Sequence, residues 1–432
     1  MAKETPIDYR NLMIYQVYNR NHNESGTFLE LVDDLDRIKD LGTDILYLLP
    51  IHPIGMKNKK GSLGCPYSIQ DYRGINPEYG TLEDFKKLIE ETHKRGMKIM
   101  LDIVYNHTSH DSRLLEEHSE WFYRNGNGEL ANRVGDWWDI TDLDYRNKEL
   151  WDEMIDILKY FANMGVDGYR CDVASFVPVD FWIRARHEVA EINRDFIWLA
   201  ETLDFGFRKA IDRHGFIAHS DSEMYEAFDI TYDYDVMEKM HHYLEGKSPL
   251  SDYLERLRMQ ESIYPQNYVK LRNLENHDQK RIAYLVNNIH QLKIWTSFLF
   301  FQKGATMIYA GQEALDPNLP SLFDEDKVDW SRYNEDGIAD LIKALAGMKK
   351  DRIMAEGNYE IHTVDYNDLI VLSYENSHMI RYGIFNVGLK TIELPVEFSD
   401  GEYKDIISDD TVYVNDGKIL LGKEPLIFDV TK

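Results

Sequence analysis

Cysteine is nearly absent from this 432-residue chain, which holds only Cys65 and Cys171, far apart and without metal-ligand spacing. Two such residues cannot build a disulfide framework or a cysteine metal site, and free buried thiols in a reducing compartment are the expectation. Basic charge is scarce too. With 49 Lys and Arg against 76 Asp and Glu the formal charge is −27, which argues against a nucleic-acid partner, because displacing phosphate counterions takes a surplus of cations. Nowhere is there the ~18-residue apolar run that a membrane span needs, and the opening MAKETPIDYRNLMIYQVYNR has no apolar stretch of signal-peptide length. A cytoplasmic protein with no membrane partner is expected. No solenoid-period repeat or low-complexity linker interrupts the chain, so its parts should pack together.

What is present is a regular alternation. Short β-rich runs at 12–18, 44–50, 98–105, 166–172, 196–201, 226–231, 268–275 and 306–311 alternate with amphipathic stretches such as FLELVDDLDRIKDLG and TLEDFKKLIEETHKRG, which end near a glycine. Eight such units predict a (β/α)8 barrel over residues 1–352. Residues 106–145 are too long for a plain connection after the third strand and predict an inserted subdomain. From residue 353 to 432 the pattern changes to alternating runs split by Asn, Asp and Gly, which predicts an antiparallel β domain. The 28 Tyr, 18 Phe and 8 Trp supply flat faces for core packing or for stacking on sugars.

The segment VDGYRCD places Arg170 and Asp172 on one side of a strand whose other residues are apolar. Alone, the pair reads equally well as a self-satisfied buried ion pair. The mouth of a barrel gathers its strand ends, however, and three others here carry polar groups: Asp102 to His107 in DIVYNH, Glu201 in WLAET, and Asn276, His277 and Asp278 in ENHDQ. Asp172, Glu201 and Asp278 in one cleft would repel and be poorly solvated, a cost that function explains better than structure.

In this order the motifs DIVYNH, GYRCD, a strand-end Glu and NHD resemble the α-amylase family of glycoside hydrolases, as do LGTDILYLLPIHPIG and GATMIYAGQE. The resemblance covers nearly the whole chain and implies a catalytic barrel, a subdomain after the third strand, a C-terminal β-sandwich and an α-glucan oligosaccharide as substrate. It implies Asp172 as nucleophile, Glu201 as general acid/base and Asp278 as the carboxylate that grips sugar hydroxyls. It also implies Tyr67 as a stacking platform and His107 and His277 as hydrogen-bonding partners of the reacting sugar. Arg170, beside the nucleophile, is expected to keep it ionised.

Asn106 and Asp142 resemble two ligands of the family's structural calcium site, but two oxygens are few, and Ser175 and Phe176 replace the Lys and His often found after the nucleophile. No cofactor is required on this reading, and Ca²⁺ is optional. Trp137 and Trp138 suit either a sugar platform or a subdomain core, whereas His241 and His242 are expected to be solvated helix residues. Two positions divide the specificity reading. Ser68 stands where exo-acting relatives have an Asp clamp, which predicts an α-1,4 hydrolase that lets a chain run past the cleaved sugar and cuts internal bonds. Val173, after the nucleophile, is common in enzymes that accept α-1,6 bonds. The alternative is thus an exo-acting α-glucosidase, an oligo-1,6-glucosidase or a transglycosylase.

Overall fold

Residues 4–432 are described in the computed structural model, and their first element of consequence is the strand β1 (Met13–Val17). It is followed by β2 (Ile45–Leu48) and β3 (Lys98–Ile103), then by a short pair, β4 (His107–Ser109) and β5 (Ile140–Asp142), inside the insertion. The barrel resumes with β6 (Gly168–Cys171), β7 (Ile197–Ala200), β8 (Ile230–Tyr232), β9 (Val269–Arg272) and β10 (Ala305–Tyr309). These eight parallel strands close in the order β1-β10-β9-β8-β7-β6-β3-β2. One face of each strand fills the barrel with Ile14, Tyr47, Met100, Leu199, Ile230, Leu271 and their neighbours, and the other packs against the helices. The barrel is therefore a filled core, and only its rim is free for chemistry.

The helices form where the pattern asks for them. Phe28–Asp40 is capped by the Thr27 side chain, and Leu82–Lys94 starts on a capping box in which Thr81 and Asp84 satisfy each other's backbone N–H groups. Phe85, Leu88, Ile89 and Thr92 form the buried stripe of the second, and Gly96 follows its end. The strand expected at 226–231 begins only at Ile230, because the helix Asp221–Met224 and the turn after it take up the preceding residues.

The insertion is closed at its base by the antiparallel pairing of β4 with β5. The change expected at 353 falls in a short helix, Arg352–Glu356, and strands begin at β11 (Asn358–Ile361). Then come β12 (Ile370–Glu375), β13 (Met379–Phe385), β14 (Ile392–Pro395), β15 (Gly401–Lys404), β16 (Thr411–Asn415), β17 (Lys418–Leu421) and β18 (Leu426–Thr431). They make two four-stranded antiparallel sheets, β11-β12-β13-β18 and β14-β17-β16-β15, with a shared core of Ile384, Leu394, Val414 and Phe428. The first sheet lies on the barrel helix Ile289–Phe301. Gly383 faces the Phe301 ring so closely that a Cβ there would sit 2.8 Å from it, and Phe298 and Phe301 both pack edge-on to Phe385.

Candidate active site

Asp102 and Arg170 are register partners on β3 and β6, so their side chains emerge side by side. Asp172 follows β6 directly, its N–H donating to the Ile103 carbonyl, and Glu201 follows β7, its N–H donating to the Cys171 carbonyl. The strand order thus delivers both carboxylates to one rim. Arg170 is fully buried between them. Its Nη1 donates to Asp102 Oδ1 at 2.9 Å and to Asp172 Oδ1 at 3.0 Å, and Nη2 lies 2.7 Å from Glu201 Oε1. The last contact is an ion pair without hydrogen-bond alignment, for Nη2 has no bonded acceptor. Glu201 gains its directed bond from the Val173 N–H at 2.7 Å. To offer that N–H the chain turns at Val173 into the left-handed region, φ 35° and ψ 44°, a strain of about 1–3 kcal/mol for a β-branched residue.

The floor is equally connected. Tyr67 stacks on His277, ring centroids 5.4 Å apart, and its hydroxyl donates to Asp102 Oδ2 at 2.8 Å while lying 2.7 Å from His277 Nε2. Tyr47 donates to the same Asp102 oxygen, and Gln16 bonds His277 Nδ1 at 3.0 Å. His277 Nε2 also stands 3.0 Å from Asp278 Oδ2. His107 bonds the Asn106 amide at 3.0 Å and lies beside the Trp137 ring. These residues share a cavity of about 700 Å³ lined by Tyr67, His107, Asp172, Glu201 and Asp278.

The carboxyls titrate differently. Burial pushes Asp172 well above the usual carboxylate range and the Glu201 charge adds to it, while Arg170 opposes both, the direction expected of it. Glu201 is also raised, by burial first, with Arg170 opposing and Asp278 adding. Held on neighbouring nitrogens of one guanidinium, the two release protons as a pair. Asp278 goes the other way. Its protein surroundings raise it, but His277 more than compensates, and 43% of its side chain still meets solvent. Burial pushes His107 down to about 3, with Arg133 and Lys60 adding to the fall, so that imidazole is neutral.

The two residues that resemble calcium ligands meet a different partner. Arg133 Nη2 donates to Asn106 Oδ1 at 2.7 Å, and Arg133 Nε donates to Asp142 Oδ2 at 2.7 Å. A guanidinium occupies both oxygens, and a second cation there would be repelled, so Asn106 and Asp142 do not fit calcium in this arrangement. Among the described residues no group of three or more His, Cys, Asp or Glu is placed to hold a metal. A chelator is expected to leave Tm unchanged. Arg133→Ala should destabilise by about 3 kcal/mol, since it leaves the buried Asp142 unpaired; a chelator-induced fall in Tm measured by scanning calorimetry would restore a metal.

The expectation for two histidines is revised. His241 and His242 are half-buried and line the cleft, with burial lowering His241, although a solvated helix was expected. Trp137 lines the cleft with Phe207 and packs on the buried Phe176 behind it, and Trp138 is 59% exposed. Both cysteines are free and buried, and burial raises both thiols. No helix among the described residues is long and apolar enough to cross a membrane. Sequence reasoning missed Gln16, Tyr47, Lys60, Arg133 and Asp139. Only Gln16, polar within an otherwise apolar strand, carried a signal.

Comparison with known proteins agrees with this geometry. The family model for the α-amylase catalytic domain matches residues 15–138 and 117–353, and that for the bacterial α-amylase C-terminal domain matches 360–428. A crystal structure of an α-amylase from Lactobacillus plantarum superposes with TM-score 0.95 and 43% identity, covering 98% of this chain and all of the other. A maltogenic α-amylase from Thermotoga neapolitana gives 0.88 and 34%, over 98% of this chain and all of that one. The intracellular maltogenic amylase of Bacillus subtilis is 27% identical over 84% of this chain, which spans 62% of that enzyme. On the matched barrel and C-terminal domain, and on a relative more than 40% identical along nearly its whole length, this chain belongs to the α-amylase family of glycoside hydrolases.

Proposed function

We propose that the protein hydrolyses α-1,4-glucosidic bonds of maltodextrins or starch-derived oligosaccharides with retention at the anomeric carbon. The observation that carries this reading is one buried guanidinium, Arg170, holding Asp172 and Glu201 on its two terminal nitrogens beside the Tyr67–His277 floor. Carboxyls held that close suit a covalent intermediate, for which about 5–5.5 Å is the usual separation, better than the wider gap that admits an attacking water. Burial raises both carboxyls, so the pair holds its last proton to a higher pH than free carboxyls do. Glu201 gives that proton to the glycosidic oxygen, and Asp172, left ionised beside Arg170, attacks the anomeric carbon. Glu201 then takes a proton from water as the water oxygen bonds the anomeric carbon and the bond to Asp172 breaks, which restores both carboxyls. Asp278, the most open and most acidic of the three, accepts from sugar hydroxyls in the distorted ring. The Bacillus subtilis and Thermotoga neapolitana relatives, both maltogenic amylases, support a maltodextrin substrate, and the former, an intracellular enzyme, supports action inside the cell.

Proton NMR of maltoheptaose hydrolysis is the test. The α-anomer should appear first and precede mutarotation, while isomaltose turns over slowly. An initial β-anomer would mean direct attack by water, and brisk isomaltose cleavage with inert maltoheptaose would replace this reading with an α-1,6 enzyme.

A further inference from the structure

One cluster in the cleft lies outside the machinery described above. Lys60, on the loop after β2, pairs with Asp139 of the insertion at 2.9 Å, and its Nζ lies 4.8 Å from the Trp138 ring centroid and 5.7 Å from that of Phe323, beyond β10. The three loops are bound to one another. Ser62 donates from its N–H and its hydroxyl to Asp324 Oδ1 at 2.8 and 2.6 Å, and the Leu63 N–H donates to the Phe323 carbonyl at 3.0 Å. Gly61, at φ +60°, permits the approach, because a Cβ there would stand 2.6 Å from Phe323. Ser68, the residue that lacks a clamp carboxylate of its own, donates to the Asp139 carbonyl at 3.0 Å. The backbone of another segment, whose Asp139 side chain holds Lys60, is thereby tied to Ser68.

The position fixes the side of the reaction it serves. Glu201 protonates the leaving oxygen, so the leaving chain lies toward Leu203, Asp204 and Phe207, which follow Glu201 along the chain and line the cleft. The glycone lies over Tyr67 and His107, and there Lys60 is near enough for its charge to bear on His107. The pair is also incompletely satisfied. Asp139 is 2% exposed and its Oδ2 has no partner, while Lys60 Nζ uses one of three N–H groups on Asp139. A buried carboxylate oxygen without a donor and an ammonium with donors to offer are complementary to neighbouring sugar hydroxyls.

We propose that Lys60 and Asp139 form a clamp for the hydroxyls of the non-reducing-end glucosyl unit and close the glycone end of the cleft. The enzyme then takes chain ends and releases one short product, contrary to the run-through expected from Ser68. The inference rests on the α-1,4 reading above.

The test compares maltoheptaose with maltoheptaoside blocked at its non-reducing end, for wild type, Lys60→Met and Asp139→Asn. Asp139→Asn keeps the shape of its side chain and Lys60→Met keeps most of its apolar stem, so the loops retain their packing. Wild type should give a single short product from the free chain and cut the blocked chain about tenfold more slowly, the equivalent of one charge-assisted hydrogen bond. In both variants products should spread in length, KM for the free chain should rise about tenfold, and the blocked-to-free ratio should approach one. A purely structural pair would lower Tm without moving that ratio. Wild type that cuts both chains equally, or variants that keep the wild-type ratio and products, would overturn the clamp alone. A wild type inert on both chains would overturn the α-1,4 reading and the clamp with it.

Discussion

Replacing Asp172 with Asn is expected to cut kcat on maltoheptaose by about 10³-fold or more while the dissociation constant for the chain barely moves. Asn keeps the shape of the side chain, and what it removes is a bond formed only along the reaction path. Glu201→Gln should cost about 10²–10⁴-fold on the same substrate, the span of general acid catalysis. Its loss should shrink on aryl glycosides and glycosyl fluorides, whose leaving groups need no proton. The pH profile supplies a second signature. Burial raises both Asp172 and Glu201, so the last proton of the pair leaves at a pH above the ordinary carboxylate value near ~4. The active form carries that proton, and kcat/KM therefore falls as pH rises through the raised value. In Glu201→Gln that alkaline limb should vanish. Normal hydrolysis by either variant would remove these residues from the chemistry.

Arg170→Met should produce the largest loss of stability. The guanidinium is the common partner of Asp102, Asp172 and Glu201, and all four residues are buried. Removing one member of a buried ion network costs about 3–5 kcal/mol, because charges remain without compensation. The sign with pH follows. Asp102, Asp172 and Glu201 are already raised in the folded protein despite Arg170, and losing it raises them further above their unfolded values. Below the unfolded value near ~4 the carboxyls are protonated in both states and the added penalty disappears. As pH climbs through the folded values it grows. Thermal melts of wild type and variant should converge in acid and diverge toward neutrality, and Asp102→Asn added to Arg170→Met should recover part of the difference. A Tm gap independent of pH would mean that lost packing, not charge, is responsible.

The barrel was legible because its signals are local. Apolar runs, helical stripes, capping residues and terminal glycines such as Gly96 act within a few positions of themselves, and the (β/α)8 order followed from counting them. The weakest strand was misplaced for the same reason: β8 has three residues, and the apolar turn ahead of it mimics a strand. Asp172, Glu201 and Asp278 were legible as charges at strand ends. Arg133 was not, since its partners Asn106 and Asp142 lie 27 and 9 positions away and nothing near it marks it as their counter-charge. Lys60 and Asp139 meet only because two loops fold over the same rim. The opposing pull of burial on Asp172 was not legible, because burial depends on every neighbour, whereas the sequence displayed only the adjacent Arg170.

The seating of the β-sandwich on the barrel has a consequence for how the molecule comes apart. Phe298 and Phe301 of the barrel helix share one apolar cluster with Tyr374 and Phe385, Arg381 bonds both Asp351 and Asp429, and Arg258 holds the Ile361 and His362 carbonyls. Separating the two parts would bare aromatic surface on both and break the Arg381–Asp351 ion pair. The sandwich is accordingly no detachable cassette: heat should melt it and the barrel in a single cooperative step, with calorimetric and van't Hoff enthalpies equal.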